Sequence, residues 1–282
     1  MIIGDSESTM AAACRLVVAE LRTMELRTQE CVFEGDRIEG TSLFSGIDSK
    51  NELTPALSTI LPAECRCVEV VGEIAEPEVF PEEANTIRNL TPARRQEFLT
   101  GRACARRALS NLGLPAGAIP RGRDRDPLWP SGIVGSITHC TGYRAAAVAQ
   151  SRHIQGIGID AEPNERLDRD ILRVIAIEKE FAELECLPGA CCWDRLLFSA
   201  KESVFKAWFP LTRRWLDFYD VNVKFSPETH SFRAFICLTN TAGSLTERYL
   251  IEGTFVARKD ILVSAVTIGA NRGLVSQDLP RR

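Results

Sequence analysis

Three carboxylates and two lysines in the second half of the chain are spaced for work on phosphate. In GIGIDAE (156–162), Asp160 and Glu162 lie two residues apart in a run that alternates like a strand. Such neighbours project from one face. Adjacent carboxylates repel, and burying them is costly unless a cation compensates. Hard oxygen ligands at this spacing suit Mg²⁺, which takes one or two protein carboxylates and fills its octahedron with water and substrate phosphate. In FSAKESVFKAW (198–208), Glu202 and Lys206 are i and i+4 on a predicted helix and share a face. Lys201 sits about 100° round that helix from Glu202. A third carboxylate near Asp160 and Glu162 would complete a metal site or act as a base. Phe198, Val204, Phe205 and Trp208 frame these charges, unlike the surroundings of a solvated Glu–Lys pair. His139, in GSITHC (135–140), is placed to donate to a phosphate. Each motif also has a plainer reading: acids at a strand end, a surface ion pair, a structural histidine.

The elements that must position these residues follow from periodicity. Residues 91–112 read as a helix, with Thr91 as N-cap, Pro92 in the first turn and Gly113 as the stop. It carries Arg94, Arg95, Arg102, Arg106 and Arg107. A Gly/Pro-rich loop follows over 120–132. Strand-like runs are expected at 65–72, 133–138, 144–150, 154–162, 219–225, 231–238, 248–257 and 261–268. A helical stretch is expected over 168–185, and another over 194–209 ended by Pro210. Two helix-then-strand blocks of similar length predict an α/β (α+β) fold of two lobes, 53–158 and 159–270. Residues 1–52 read as an N-terminal extension, with a helix over 9–28 and a linker over 34–52. Residues 271–282 read as a tail.

The 282-residue chain has a net charge of −4, which offers no general attraction to nucleic acid or anionic lipid. The charge is uneven. Residues 1–93 hold 7 Lys and Arg against 17 Asp and Glu, whereas 94–125 hold 8 Arg against Glu97 and Asp124. A basic block in an acidic chain points to a discrete anion rather than a polyanion groove. The ten cysteines form no C-x-x-C pair and no zinc-like cluster with the three histidines. They read as reduced thiols in a cytoplasmic protein. The first residues lack a signal-peptide h-region, and no apolar run reaches membrane-spanning length.

Four stretches, in order, resemble the 4′-phosphopantetheinyl transferases of the siderophore and surfactin synthetase type: FLTGRACARRAL (98–109), PLWPSGIVGSITHC (127–140), GIGIDAEP (156–163) and LLFSAKESVFKAWFP (196–210). The resemblance covers about residues 55–268. It implies two pseudo-symmetric lobes, each a small sheet packed with helices, with CoA and Mg²⁺ (or Mn²⁺) in the cleft. The implied reaction moves the phosphopantetheine arm of CoA to a serine of an apo acyl or peptidyl carrier protein and releases 3′,5′-ADP. It serves siderophore, polyketide or nonribosomal peptide synthesis. The resemblance implies that Asp160, Glu162 and Glu202 hold the metal, and that Glu202 takes the serine proton directly or through water. It further implies that Lys206 meets the pyrophosphate and that Lys201 contacts phosphate less directly. Arg102 would pair with the 3′-phosphate, with Arg106 a second candidate, and His139 would meet a CoA phosphate. The basic residue often placed just before the Pro of the P-x-W-P-like segment is Asp126 here. Arg121, Arg123 and Arg125 are the substitutes, Arg125 first. A monomer is expected, acting on neither nucleic acid nor membrane. Two rival readings remain: a different Mg²⁺-dependent phosphoesterase such as a nuclease, and a non-catalytic module that binds CoA or a carrier.

Overall fold

The computed structural model describes residues 56–240, 244–270 and Leu274. The helix expected over 9–28, the linker over 34–52 and nearly all of the tail lie outside the described residues. The described helices are α1 (Leu57–Ile60), α2 (Pro81–Ile87), α3 (Pro92–Asn111), α4 (Arg169–Ile175), α5 (Glu178–Glu185) and α6 (Trp193–Thr212). The strands are β1 (Arg66–Val71), β2 (Ile133–Cys140), β3 (Tyr143–Gln150), β4 (Ile154–Pro163), β5 (Val221–Ser226), β6 (Ser231–Thr239), β7 (Leu245–Ala257) and β8 (Ile261–Gly269). They form two antiparallel sheets, ordered β1-β3-β2 and β4-β8-β7-β6-β5. The α/β (α+β) expectation holds. The lobe boundary expected at 158/159 runs through β4, which pairs with β8 from Ile154 to Pro163.

Side-chain size along the strands explains the layering. β3 reads YRAAAVAQ and is buried on both faces. Ala146 and Val148 pack under Cys104, Ala105, Ala108 and Leu109 of α3. Ala145, Ala147 and Ala149 pack against Ile157, Ile159 and Ala161 of β4 and Val263 and Ala265 of β8. Small side chains let a middle strand take a helix on one side and a second sheet on the other. On the far side of that sheet, α6 buries Leu196, Leu197, Ala200, Val204 and Trp208. The order of layers is therefore α3, first sheet, second sheet, α6.

The contact between β4 and α6 is unusually close, and the glycines of GIGID permit it. A Cβ on Gly158 would lie 1.8 Å from the Ser203 carbonyl oxygen, and one on Gly156 would lie 2.8 Å from that of Ala207. On the helix, Ser199 and Ser203 meet Ser264 of β8 through their hydroxyls. Strand alternation then puts Asp160 and Glu162 on the same face as these glycines, directly under α6.

Two helix boundaries differ from expectation. The stretch 168–185 is two helices, broken where Ala176 turns extended. Glu180 accepts the Ile177 N–H at 2.9 Å and starts α5 afresh. Pro210 does not end α6, which runs on to Thr212. Pro210 removes one N–H from the last turn, but the Arg213 N–H still closes on the Phe209 carbonyl at 2.8 Å, with Arg213 left-handed at φ 55°.

Candidate active site

Asp160 and Glu162 are both buried, each against a cation from α6. Lys206 Nζ donates to Asp160 Oδ1 at 2.6 Å and to the Ile159 carbonyl at 3.1 Å. Arg195 donates from a terminal nitrogen to Glu162 Oε2 at 3.1 Å and from Nε to the Glu165 carbonyl at 3.2 Å. Arg195, Glu202 and Lys206 are separated by seven and four residues, so they fall within one narrow stripe of the helix. Glu202, half-buried, thus sits between the two cations on the face that covers the strand carboxylates.

The first sheet contributes from the other side. Being at an edge, β4 has outward N–H groups without ladder partners. The Ile159 N–H donates to Ser136 Oγ at 3.1 Å and the Ala161 N–H to Thr138 Oγ1 at 3.0 Å. Thr138 also lies 3.4 Å from Asp160 Oδ1. Lys206 and Thr138 therefore both engage Oδ1. Oδ2 of Asp160 is buried and accepts no hydrogen bond. An unsatisfied buried carboxylate oxygen is costly, and a hard divalent cation is the partner that suits it. Among the described residues, no group of three or more His, Cys, Asp or Glu is gathered to hold a metal by itself. Of the expected set of Asp160, Glu162 and Glu202, Asp160 is ion-paired with Lys206 and Glu162 with Arg195. Mg²⁺ needs only one or two protein carboxylates, so the orphaned oxygen fits it.

The predicted phosphate-binding residues take diverse positions. Arg102 is buried on α3, donates from Nε to the Ile119 carbonyl at 2.7 Å and stacks on Phe98. Burial pulls its pKa down to about 10. An anion beside this buried guanidinium would reverse that shift, as a phosphate contact requires. Arg106 is committed elsewhere: it bonds both oxygens of fully buried Glu83, at 2.9 and 3.2 Å, and the Glu78 carbonyl at 2.8 Å. Glu83 also accepts the Ile119 N–H at 2.8 Å. Arg106 thus anchors α2 and the following loop.

Lys201 is likewise a structural residue. Its side chain is 1% exposed, and Nζ donates to Glu180 Oε2 at 2.7 Å, to the Ile175 carbonyl at 2.8 Å and to the Phe218 carbonyl at 2.9 Å. Three acceptors use all three ammonium protons. Burial lowers its pKa and the Glu180 charge opposes that. Glu180 also accepts the Val223 N–H at 2.8 Å, so the pair joins α5, α6 and β5.

His139 is half-buried on β2, with Nδ1 3.8 Å from Glu97. Glu97 also accepts from Arg94 at 2.8 Å and lies 3.8 Å from the buried guanidinium of Arg144. Arg125 is exposed and left-handed at φ 70° in the Arg-rich hairpin. Its neighbour Asp126 accepts from Arg213 at 2.8 Å, which moors that hairpin to the end of α6.

Sequence reasoning missed Arg195, Thr138, Glu97 and Asp126 as partners in these networks. Arg195 had a usable signal, standing two helical turns before Glu202 on the same face. Thr138 had none, because its link to Asp160 depends on how the sheets meet.

Residues 82–149 match the family model of the 4′-phosphopantetheinyl transferase N-terminal domain, and 156–255 match that of the 4′-phosphopantetheinyl transferase superfamily. The chain is similar to 4′-phosphopantetheinyl transferase PptT of Mycobacterium tuberculosis, 42% identical over 197 residues, which is 70% of this chain and 83% of the relative. Similarity to 4′-phosphopantetheinyl transferase Svp of Streptomyces mobaraensis is 41% over 205 residues, 71% of this chain and 82% of the relative. Enterobactin synthase component D of Escherichia coli is 38% identical over 118 residues, 40% of this chain and 54% of the relative.

Proposed function

The chain belongs to the 4′-phosphopantetheinyl transferase superfamily, and on that premise we propose that it is a Mg²⁺-dependent enzyme whose reaction runs under the stripe of α6 that carries Arg195, Glu202 and Lys206. Its substrates are CoA and an apo carrier protein. The observation that carries the reading is the pairing of Lys206 with Asp160 Oδ1 while Asp160 Oδ2 stays buried without a partner.

Asp160 and Glu202 hold the metal in this reading, with Glu162 beside them. A Mg²⁺ ion held there would supply charge neutralisation for the CoA pyrophosphate. Lys206 is a point charge beside the same carboxylate, placed to stabilise charge growing on the leaving side. Arg102 pairs with the 3′-phosphate as a buried guanidinium. Glu202 takes the proton of the carrier serine, directly or through water. The serine oxygen forms a bond to the β-phosphorus, the phosphorus–oxygen bond to the nucleotide breaks, and 3′,5′-ADP leaves. His139 and Arg125 contribute donors to the CoA phosphates. The rival phosphoesterase reading has no such support: a polynucleotide needs an extended basic face, whereas this chain has a net charge of −4.

Asp160→Asn tests the metal assignment. The substitution removes the anionic orphan oxygen with little change of shape. Transfer falls by about 10²-fold or more, and Mg²⁺ no longer tightens CoA binding in calorimetry. Unchanged Mg²⁺-dependent tightening would remove Asp160 from the metal site.

A further inference from the structure

The residue before Glu202 ends in a closed set of hydrogen bonds, about 140° round α6 from Lys206. The Lys201 ammonium gives its three protons to Glu180, Ile175 and Phe218. Glu180 in turn accepts the Ile177 N–H through Oε2 at 2.9 Å and the Val223 N–H through Oε1 at 2.8 Å. The end of α4, the start of α5, strand β5 and the 3₁₀ turn at Phe218–Asp220 thus all meet at this pair. Replacing both charges of a buried ion pair is often neutral for stability, so stability alone does not explain the pair. What a fully satisfied polar set supplies is a single arrangement, where apolar side chains slide.

Ser203 holds the other flank. It is fully buried, its hydroxyl meets that of Ser264, and its carbonyl oxygen would lie 1.8 Å from a Cβ on Gly158. Successive helix residues are about 100° apart. Half-buried Glu202 therefore stands between two buried neighbours whose places are fixed. Resting on the reading that Glu202 takes the serine proton, we propose that Lys201 and Glu180 are positioning residues that set the rotation of α6 and with it the direction of Glu202. They act without touching CoA. A rotation of about 10° moves a carboxylate at the rim of a helix by about 1 Å. Misplacement of that size costs up to about 10²-fold in rate.

The test is a mutant cycle on the full chain. E180Q/K201M removes both charges and leaves no lone buried ion. Transfer to an apo carrier protein is timed in wild type, E180Q/K201M, E202Q and the triple variant, each well below its own melting temperature. CoA affinity is measured by calorimetry without metal. E180Q/K201M is expected to lose about 10- to 100-fold in kcat, while CoA affinity stays within about threefold of wild type. In the E202Q background the same two changes are expected to cost less than about threefold, because the base they aim is already gone.

A pair that only stabilises the fold predicts otherwise: the melting temperature drops and kcat of the folded protein is unchanged. A Lys201 that contacts phosphate predicts weaker CoA binding and the same rate loss with or without Glu202. Either result overturns the proposal. If E180Q/K201M does not melt cooperatively, E180Q decides by the same cycle. Glu180 is fully buried on α5 behind Lys201, so its loss reaches the rate only through α6. No transfer by wild type, or wild-type turnover by E202Q, overturns the functional reading and this proposal with it. That result is distinct from an additive cycle, which overturns the proposal alone.

Discussion

Glu202→Gln is expected to slow phosphopantetheine transfer by about 10³-fold, a loss of about 4 kcal/mol of transition-state stabilisation. The amide is close in size to the carboxylate, so α6 keeps its packing. It cannot accept the serine proton, and it is a poorer ligand for a hard cation. CoA affinity measured without metal should stay within about threefold, because the CoA contacts assigned to Arg102 and Lys206 are untouched. The pattern to look for is a collapse of turnover with CoA binding retained. Turnover near the wild-type rate would remove Glu202 from the proton transfer, and parallel loss of CoA binding would make it a binding residue.

The second large effect is structural and lies under the same helix. Gly158→Ala places a methyl 1.8 Å from the Ser203 carbonyl oxygen and 2.8 Å from the Ala207 nitrogen. Both are backbone atoms, so α6 has to move off β4. Overpacking of this kind costs about 3 kcal/mol, which lowers Tm by roughly 10 °C in a domain of this size. Transfer should fall further than stability alone explains, because the Lys206–Asp160 contact opens as the helix moves. Gly117→Ala is the control, since nothing lies within 4 Å of its added Cβ. Equal melting temperatures for the two variants would show that the close contact of α6 and β4 does not limit stability.

Much of this site was legible because its signals are short-range. D-x-E in a strand puts two acids on one face, and E-x-x-x-K in a helix puts a carboxylate and a cation on one face. Local backbone geometry fixes both facts before any tertiary contact forms. The strands and the two long helices were legible for the same reason. The ion pairs of Lys201 and Arg106 were not legible, because type and spacing do not report what a long side chain reaches. Lys201 turns to Glu180, 21 residues earlier, and Arg106 to Glu83, 23 residues earlier. Those partners exist only once α5 packs on α6 and α2 on α3. The break at Ala176 has the same origin, since Glu180 serves Lys201 as well as the start of α5. Pro210 misled for a different reason. A proline in the last turn removes one N–H without forcing the chain out of the helix. Asp126, which looked like a departure from the family pattern, serves the fold through Arg213 at the end of α6.

The central claim is that this site moves phosphopantetheine from CoA to a carrier serine. The most direct measurement mixes the chain, CoA and Mg²⁺ with apo carrier proteins of the fatty-acid, polyketide and peptide classes, then records each carrier's intact mass. The account predicts that at least one carrier gains the mass of a single phosphopantetheine, that 3′,5′-ADP appears in equal amount, and that omitting CoA or Mg²⁺ abolishes both. Carriers of all classes left at their apo mass, by a protein that demonstrably binds CoA and Mg²⁺, would contradict it.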